Sequence, residues 1–267
     1  HNLLLKRFQY YLLVGGLPEA VNNYLADRNM VRVRRTHSDI HNLYRIDASQ
    51  YDEEHKLKIR KIYDLIPSNL ENKKKRIVYK NIEGKTGKSY SDYADEFEYL
   101  TNSGVALEVS AISNPRFPLV ESEQKKLMKL YLNDVGLLTN ILYDLNVNAV
   151  LMDIKSINLG TVYESVVAQE LAAHGFKLYY YDNKKKGEVD FLIEHGAGPA
   201  DAPVDAAAVG CIEAYAYFEV VVDRHGQVDA HRRRRCVVGL EVAFGAVGRY
   251  LGEDACDGGL CVDDVVD

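Results

Sequence analysis

The amino-acid composition of the chain changes abruptly near residue 195. Residues 1–194 contain 18 lysines, 16 asparagines and no cysteine, whereas residues 195–267 contain no lysine, asparagine, serine, threonine or methionine and hold all four cysteines. Helix caps and turns normally use serine, threonine and asparagine. Two interpretations of the tail stay open: an Ala/Val/Gly-rich terminal domain, or a coding accident such as a frameshift. We expect residues 1–194 to fold and the tail not to join their sheet.

The overall composition is that of a globular protein without a membrane helix. With 267 residues, the chain is long enough for one large domain or two small ones, and 47% hydrophobic and 27% charged residues are ordinary values. No apolar run reaches the roughly 18 residues that a membrane helix needs, so no membrane partner is expected. The net charge of −6 means that nucleic-acid contact would require a local basic patch. The lack of cysteine before the tail suits a cytoplasmic location.

Residues 1–51 are predicted to form a helical segment. The pattern is interrupted at Gly15 and Gly16, and Pro18 suits the first turn of a second helix. A polar stretch of unassigned structure follows over 35–54. Because the chain begins at His1 and shows no signal-peptide pattern, we expect it to be a fragment that starts within a larger fold.

Residues 52–150 show the order of elements typical of a winged helix. A first helix, bent or ended near Pro67, is followed by a short strand at "RIVY", a second helix from about residue 89 to Gly104, and a β-hairpin that starts at "VALEVSAI". Both helices carry apolar side chains at helical spacing: Ile59, Ile62, Tyr63 and Ile66 in the first, and Tyr90, Tyr93, Phe97 and Leu100 in the second.

Residues 151–194 are predicted to form a third unit, with a helix over about 161–174 and two strands joined by a polar turn at 183–187. The fold class that follows is α/β in the mixed sense, or α+β. It consists of a helical segment, a winged-helix-like module, a partial α/β domain and the tail over 195–267.

The stretch "EGKTGKSY" resembles a phosphate-binding loop but lacks its spacing. A Walker A motif has the form GxxxxGK[ST], and counting back from Gly87-Lys88-Ser89 places Ile82 where the first glycine should be. Gly84 is the nearest glycine and leaves the loop two residues too short. We therefore predict a solvated turn before a helix, and no nucleotide cofactor in this chain.

A basic run precedes the second helix of the winged-helix-like module. The candidate nucleic-acid contacts are Lys73, Lys74, Lys75, Arg76, Lys85 and Lys88. In a winged helix the second helix can enter the major groove, while flanking cations contact phosphates. The helix itself is acidic, however, with Asp92, Asp95, Glu96 and Glu98. DNA binding and the docking of a protein partner both stay open.

Glu188 and Asp190 lie two positions apart in the last predicted strand and should share one face of it. The apolar side chains of that strand are expected on the opposite face: Val189, Phe191 and Ile193. Glu164, early in the preceding helix, could supply a third carboxylate. Oxygen ligands favour magnesium or manganese, so these three acids are a candidate metal site. The alternative is a solvent-facing edge strand.

Several stretches together resemble one family. They are "YYLLVGGLPEAV", "YRIDASQY", "KIRKIYDLIPSNLENKKKRIVY", "YLTNSGVALEV", "KLMKLYLNDVGLL", "INLGTVYESVVAQELAAHG" and "LYYYDNKKKGEVDFLIE". In this order they are similar to the C-terminal part of bacterial and archaeal AAA-type ATPases, where a domain of unknown function follows the ATPase core. The resemblance implies that ATP binds only in a missing N-terminal part. It also implies a winged-helix-like middle and a PD-(D/E)xK nuclease-like unit in which Glu164 and Asp190 are the catalytic acids.

The chain departs from that pattern after Asp190. The resemblance implies a following strand with a Glu-x-Lys pair, whereas the nearby "FEVVVD" offers Glu219 without a lysine, and no lysine occurs after Lys186. We therefore expect no metal-dependent cleavage of DNA and no enzymatic activity from this chain alone. The predicted function is a non-ATPase fragment that binds DNA or a partner and has a degenerate nuclease-like domain. A magnesium-dependent nuclease and a pure protein-interaction module are the alternatives.

Overall fold

The computed structural model describes residues 2–47, 53–116, 118–144, 146–152, 159–184, 187–195, 208–213 and 216–221. The helices are α1 (Asn2–Val14), α2 (Pro18–Asp27), α3 (Met30–Asp47), α4 (Glu53–Glu71), α5 (Tyr79–Glu83), α6 (Ala94–Asn102), α7 (Val135–Tyr143), α8 (Val147–Leu151) and α9 (Gly160–Ala173). The strands are β1 (Ala106–Ile112), β2 (Glu123–Leu132), β3 (Leu178–Asn183), β4 (Gly187–His195), β5 (Ala208–Glu213) and β6 (Ala216–Val221). The predicted mixture of helices and sheet is confirmed. None of the helices formed by these residues combines the length and the hydrophobicity that a membrane-spanning helix requires.

The helical segment contains one helix more than the sequence pattern indicated. The break at Gly15 and Gly16 and the start of α2 at Pro18 agree with the prediction. The polar stretch, by contrast, lies largely in α3, whose buried side chains include His37 and His41. Their ring nitrogens lie 3.1 Å from the backbone oxygens of Val14 and Leu137, respectively. The inward face of α3 mixes these polar side chains with apolar ones such as Val33 and Ile40, so apolar spacing alone did not reveal the helix.

The middle of the chain follows the predicted order with three corrections, the first of which is that α6 begins at Ala94 rather than near residue 89, because Tyr90–Asp92 form a separate 3₁₀ helix. Helix α4 buries its apolar stripe and continues through Pro67 to Glu71. The short strand expected at "RIVY" is absent, because residues 75–78 have no regular structure and α5 begins at Tyr79. A single backbone hydrogen bond, from Ile77 to Met128, connects this segment to β2.

One sheet joins the units that the sequence suggested were separate. Its strand order is β2-β1-β3-β4-β5-β6. Strand β1 pairs with β2 antiparallel and with β3 in parallel, so the β1–β2 hairpin continues into the β3–β4 hairpin within one sheet. Helix α9 contacts β1, β2 and β3. The largest buried apolar cluster accordingly draws side chains from α4, α6 and the sheet.

The tail contributes two strands to this sheet. Strand β5 pairs antiparallel with β4, and β6 pairs antiparallel with β5. The expectation that the tail would not join the sheet is therefore wrong for residues 208–213 and 216–221. Both segments are rich in apolar residues, and β4 offers them the unpaired N–H and C=O groups of an edge strand. Apart from His195 at the end of β4, the rest of the tail lies outside the described residues.

Candidate functional site

A cluster of lysines and carboxylates surrounds the acids that the sequence singled out. Glu164 lies on α9, and Glu188 and Asp190 lie on β4. Glu164 is 4% exposed, whereas the side chains of Asp190 and Glu188 are 21% and 48% exposed. The cluster is therefore buried at Glu164 and open to solvent at Glu188.

A β-bulge decides which side of the sheet these residues face. Tyr179 pairs with Leu192 and Tyr181 pairs with Val189, so Tyr180 alone lies opposite both Asp190 and Phe191. The predicted strict alternation is therefore wrong. Val189 and Leu192 pack in one small cluster with the Tyr179 and Tyr181 side chains, while Phe191 and Ile193 belong to the main core. The extra residue leaves Asp190 and Phe191 on the same side of the sheet.

Lys129 on β2 provides the central cation of the cluster. Its side chain is 0% exposed, and its Nζ lies 3.1 Å from Asp190 Oδ1 and 3.5 Å from Glu188 Oε1. The same ammonium group lies 4.8 Å from the centroid of the Tyr180 ring, a cation–π geometry. A buried lysine requires such partners, because an unpaired ammonium group is very costly to remove from water.

Lys75 provides the second cation and binds Glu164. Its Nζ donates a hydrogen bond to Glu164 Oε1, and the Tyr131 hydroxyl donates to Glu164 Oε2 over 3.3 Å. Lys75 has a φ of 51°, in the left-handed region that costs a non-glycine residue about 1–2 kcal/mol. Burial and the charge of Asp190 raise the pKa of Glu164, an effect that the two lysines oppose.

Sequence reasoning missed Lys129 and assigned Lys75 a different role. The signal for Lys129 was present in "LMKLYL", where one lysine interrupts an apolar run, since a lysine in a buried strand needs an acidic partner. No sequence spacing links it to Asp190, because β1 and β3 lie between β2 and β4 in the sheet.

Four of the six predicted nucleic-acid contacts are paired with carboxylates of this chain. Lys75 binds Glu164, Arg76 lies 2.7 Å from Asp182, Lys85 lies 3.7 Å from Glu83, and Lys88 lies 2.8 Å from Asp92. Lys73 and Lys74 are exposed. A phosphate would have to compete with these carboxylates for four of the six cations.

The three predicted metal ligands are not assembled as a cation site. Among the described residues, no group of three or more His, Cys, Asp or Glu side chains could hold a metal ion. At Glu164, Glu188 and Asp190, the physical reason is that ammonium groups bind the carboxylates from within the protein. The residues present therefore do not fit a divalent cation in this arrangement.

Two further sequence features have clear positions in the structure. Glu219 lies on β6 and pairs with Gly210 of β5, so β5 separates it from β4. The stretch that resembled a phosphate loop is a turn between α5 and a short 3₁₀ helix that starts at Tyr90, as predicted. Gly84 and Gly87 both have positive φ there, and the backbone N–H of Ser89 donates to Asp92.

Fold and site together define an α+β protein in which one sheet and one charged cluster join an N-terminal and a C-terminal region. The chain belongs to the family described as Domain of unknown function (DUF8612), whose sequence profile matches residues 5–149, more than half of the chain. A second profile, Domain of unknown function (DUF4143), matches residues 159–202 and represents a domain often found after AAA ATPase cores. No curated protein and no solved structure matches.

The cluster lies across the two matched regions. Both lysines come from the DUF8612 region, and all three acids come from the DUF4143 region. The ion pair between Arg76 and Asp182 likewise joins a cation of the DUF8612 region to a carboxylate of the DUF4143 region.

Proposed function

We propose that this chain is the non-ATPase C-terminal part of an AAA-type ATPase and acts there as a binding module for a protein partner. In this proposal the nuclease-like acids are structural, because they join the two matched regions. The carrying observation is that Lys129, which is fully buried, uses Asp190 and Glu188 as its counter-ions. The DUF4143 match supports the link to an AAA-type ATPase.

The charges of the cluster favour a structural role over metal-dependent catalysis. Hydrolysis on a metal requires carboxylates that are free to bind the cation and to position a water molecule. Here two ammonium groups neutralise most of the charge of three carboxylates. A divalent cation would have to displace Lys129, and the displaced ammonium group would then be buried without a counter-ion.

A protein partner is favoured over DNA because of the charges around α6. In the winged-helix interpretation this helix would face the DNA, yet its exposed side chains include Asp95 and Glu98. Four of the six nearby cations pair within the chain. A helix with this charge repels phosphates and suits a neutral or basic protein surface.

A magnesium-dependent nuclease is the second candidate, and one observation favours it. Lys129 brings a lysine within 3.1 Å of Asp190, so the lysine that the tail lacks is present in space. In that role it would position or activate the attacking water.

A plasmid-nicking assay separates the two candidates. Purified chain is incubated with supercoiled and branched DNA in the presence of an excess of Mg²⁺ or Mn²⁺. The proposal expects no cleavage by the wild type. Metal-dependent nicking that disappears in both Asp190→Asn and Lys129→Met, but persists in Lys126→Met, would favour the nuclease and contradict the structural role. Lys126 is the matched control because it is an exposed lysine of the same strand.

A further inference from the structure

A run of four consecutive cations follows α4, and we call it the basic segment: Lys73, Lys74, Lys75 and Arg76. Its first two side chains are exposed. The other two are bound by carboxylates of this chain, Lys75 by Glu164 and Arg76 by Asp182. Both carboxylates lie in the region that matches DUF4143, whereas the basic segment lies in the region that matches DUF8612. One region therefore occupies half of the cations that the other presents.

The basic segment is held in place mainly by side chains. Residues 75–78 belong to no helix or strand. The Lys75 N–H donates to the carbonyl of Asn72 at 3.0 Å in the turn after α4, and the Ile77 N–H donates to Met128 at 3.2 Å. Lys75 itself has a φ of 51°, a conformation that is unfavourable for a residue with a side chain. The ion pairs with Glu164 and Asp182 thus supply much of what keeps the segment against the sheet.

The guanidinium group of Arg76 is only partly satisfied in this arrangement. Its Nη2 lies 2.7 Å from Asp182 Oδ2, and its Cζ lies 5.5 Å from the centroid of the Tyr180 ring. The buried Nε of Arg76 has no hydrogen-bond partner in the described part of the chain. A phosphate can accept from two parallel N–H groups of an arginine, which this carboxylate does not do here. The side chains of Arg76 and Asp182 are 22% and 27% exposed, so a competing anion can reach the pair from solvent.

The charge of the basic segment suits a ligand with several phosphates in a row. Four successive cations can each neutralise one phosphate, and arginine and lysine bind phosphate through charge-assisted hydrogen bonds. The net charge of the chain is −6, so attraction of a polyanion must come from a local group of cations such as this one. With Lys75 and Arg76 paired, only the two exposed lysines of the segment are available for that contact.

We propose that the basic segment is a binding site for a row of phosphates and that Asp182 and Glu164 mask it from within the chain. The masked segment offers two cations, and the unmasked segment offers four. A nucleic-acid strand and a linear polyphosphate both present the required chemistry. This inference uses the ion pairs described above but does not rest on the proposal of a protein partner.

Asp182→Asn tests the mask, because it releases Arg76 at a partly exposed position. Binding of a labelled DNA duplex is measured by fluorescence anisotropy at several salt concentrations between roughly 20 and 150 mM. Each phosphate contact adds about −0.9 to the slope of log K against log salt. We expect a slope of about −2 for the wild type and about −3 for Asp182→Asn, with an affinity that is about tenfold higher at roughly 50 mM salt.

Two further variants separate release of Arg76 from a general change of charge. Asp64→Asn is the matched control, since it removes the same charge from an ion pair with Arg45 outside the basic segment. It should leave the slope unchanged. Adding Arg76→Gln to Asp182→Asn should return the slope and the affinity to the wild-type values, and urea denaturation checks that each variant is folded. Equal slopes for Asp182→Asn and Asp64→Asn, or a gain that survives Arg76→Gln, would overturn the proposal.

Unlabelled competitors then identify the source of the phosphates. If linear polyphosphate displaces the duplex from Asp182→Asn as effectively per phosphate as unlabelled duplex does, the site recognises phosphate without a nucleic acid. Weaker displacement assigns a nucleic acid. Polyglutamate of the same total charge should compete poorly, because isolated carboxylates do not match a row of phosphates. Competition by polyglutamate as strong as that by polyphosphate would contradict a phosphate site and would indicate an acidic protein instead.

Discussion

The ammonium group of Lys129 lies 3.1 Å from the carboxylate of Asp190, although two other strands separate β2 from β4 in the sheet. This contact joins the region that matches DUF8612 to the region that matches DUF4143. It also gives the Asp190 carboxylate a partner other than a metal ion. The two residues differ in exposure, because Lys129 is fully buried and the Asp190 side chain retains 21% of its accessible surface.

Because Lys129 is buried and Asp190 is partly exposed, we expect substitutions of these two residues to lower stability by different amounts. Asp190→Asn leaves a buried ammonium group with the more distant Glu188 and should lower the free energy of unfolding by about 3 kcal/mol. Lys129→Met leaves the carboxylates of Asp190 and Glu188, which can reach water, and should lower the free energy of unfolding by only about 1 kcal/mol. Urea denaturation measures both, with Asp95→Asn and Lys126→Met as exposed controls. A larger loss for Lys129→Met than for Asp190→Asn would contradict this explanation.

The turn between α1 and α2 permits a matched pair of glycine substitutions. Gly15 and Gly84 have φ values of 69° and 73°, so alanine is strained at both positions. A Cβ at Gly15 would also collide with Asp134, whereas a Cβ at Gly84 meets nothing within 4 Å. We expect Gly84→Ala to lower stability by about 1 kcal/mol and Gly15→Ala to lower it by roughly 2 kcal/mol more. Equal losses of stability for Gly15→Ala and Gly84→Ala in thermal or urea denaturation would show that the close approach of the Gly15 backbone to Asp134 does not exclude a Cβ atom.

Asp134 should give the stability of the fold a distinct pH dependence. Burial raises the pKa of Asp134 from 3.8 to about 6, although three backbone N–H groups oppose the shift. A raised pKa means that the stability contribution is fully present below the unfolded pKa, near 4, and is lost as the pH rises through about 6. Relative to Asp134→Asn, the wild type should therefore lose roughly 2–3 kcal/mol between pH 4 and pH 7.

Comparing the wild type with Asp134→Asn removes the contribution of a nearby histidine to the pH dependence of stability. Burial lowers the pKa of His37 to about 4, so that His37 titrates in part of the same range in both proteins. Urea denaturation at closely spaced pH values gives the difference curve. A difference that does not change from pH 4 to pH 7 would mean that Asp134 titrates at its ordinary value in the folded protein.

DNA binding should be weak and should not depend on the paired cations. At roughly 150 mM salt, we expect no measurable affinity for a labelled duplex in fluorescence anisotropy. Any binding at lower salt should decrease in Lys73→Gln/Lys74→Gln, because those side chains are exposed. Tight binding with a steep salt dependence that is lost in Lys88→Gln would show that the ion pair with Asp92 opens for phosphate.

Local patterns in the sequence predicted the elements that depend on apolar spacing or on turn residues. The apolar stripe of α4 and the break at Gly15 and Gly16 are of this kind, and the existence of two strands after α9 was predicted, although the alternation within β4 was not. Helix α3 was not assigned because it buries polar side chains. Arg34, for example, donates to Thr139 Oγ1 at 3.1 Å, and both partners are buried. Such a helix depends on hydrogen bonds to distant segments, and spacing along the chain does not reveal them.

The acids of the candidate site could be chosen from the sequence, but their partners could not. Glu164, Glu188 and Asp190 were found from strand alternation and from the resemblance to a nuclease-like family. The bulge opposite Tyr180 and the approach of Lys129 both depend on how strands pair across the sheet. A tertiary contact of this kind changed the interpretation of the acids from metal ligands to counter-ions.

The most direct test of the structural role is the coupling energy between Lys129 and Asp190. A double-mutant cycle combines Lys129→Met with Asp190→Asn and compares the free energy of unfolding of the double variant with those of the two single variants. If Asp190 is the counter-ion of a buried lysine, removing the lysine should cancel most of the loss caused by Asp190→Asn. The cycle should then be non-additive by about 2 kcal/mol. Additive losses, with a coupling energy near zero, would contradict the claim that this ion pair holds the two regions together.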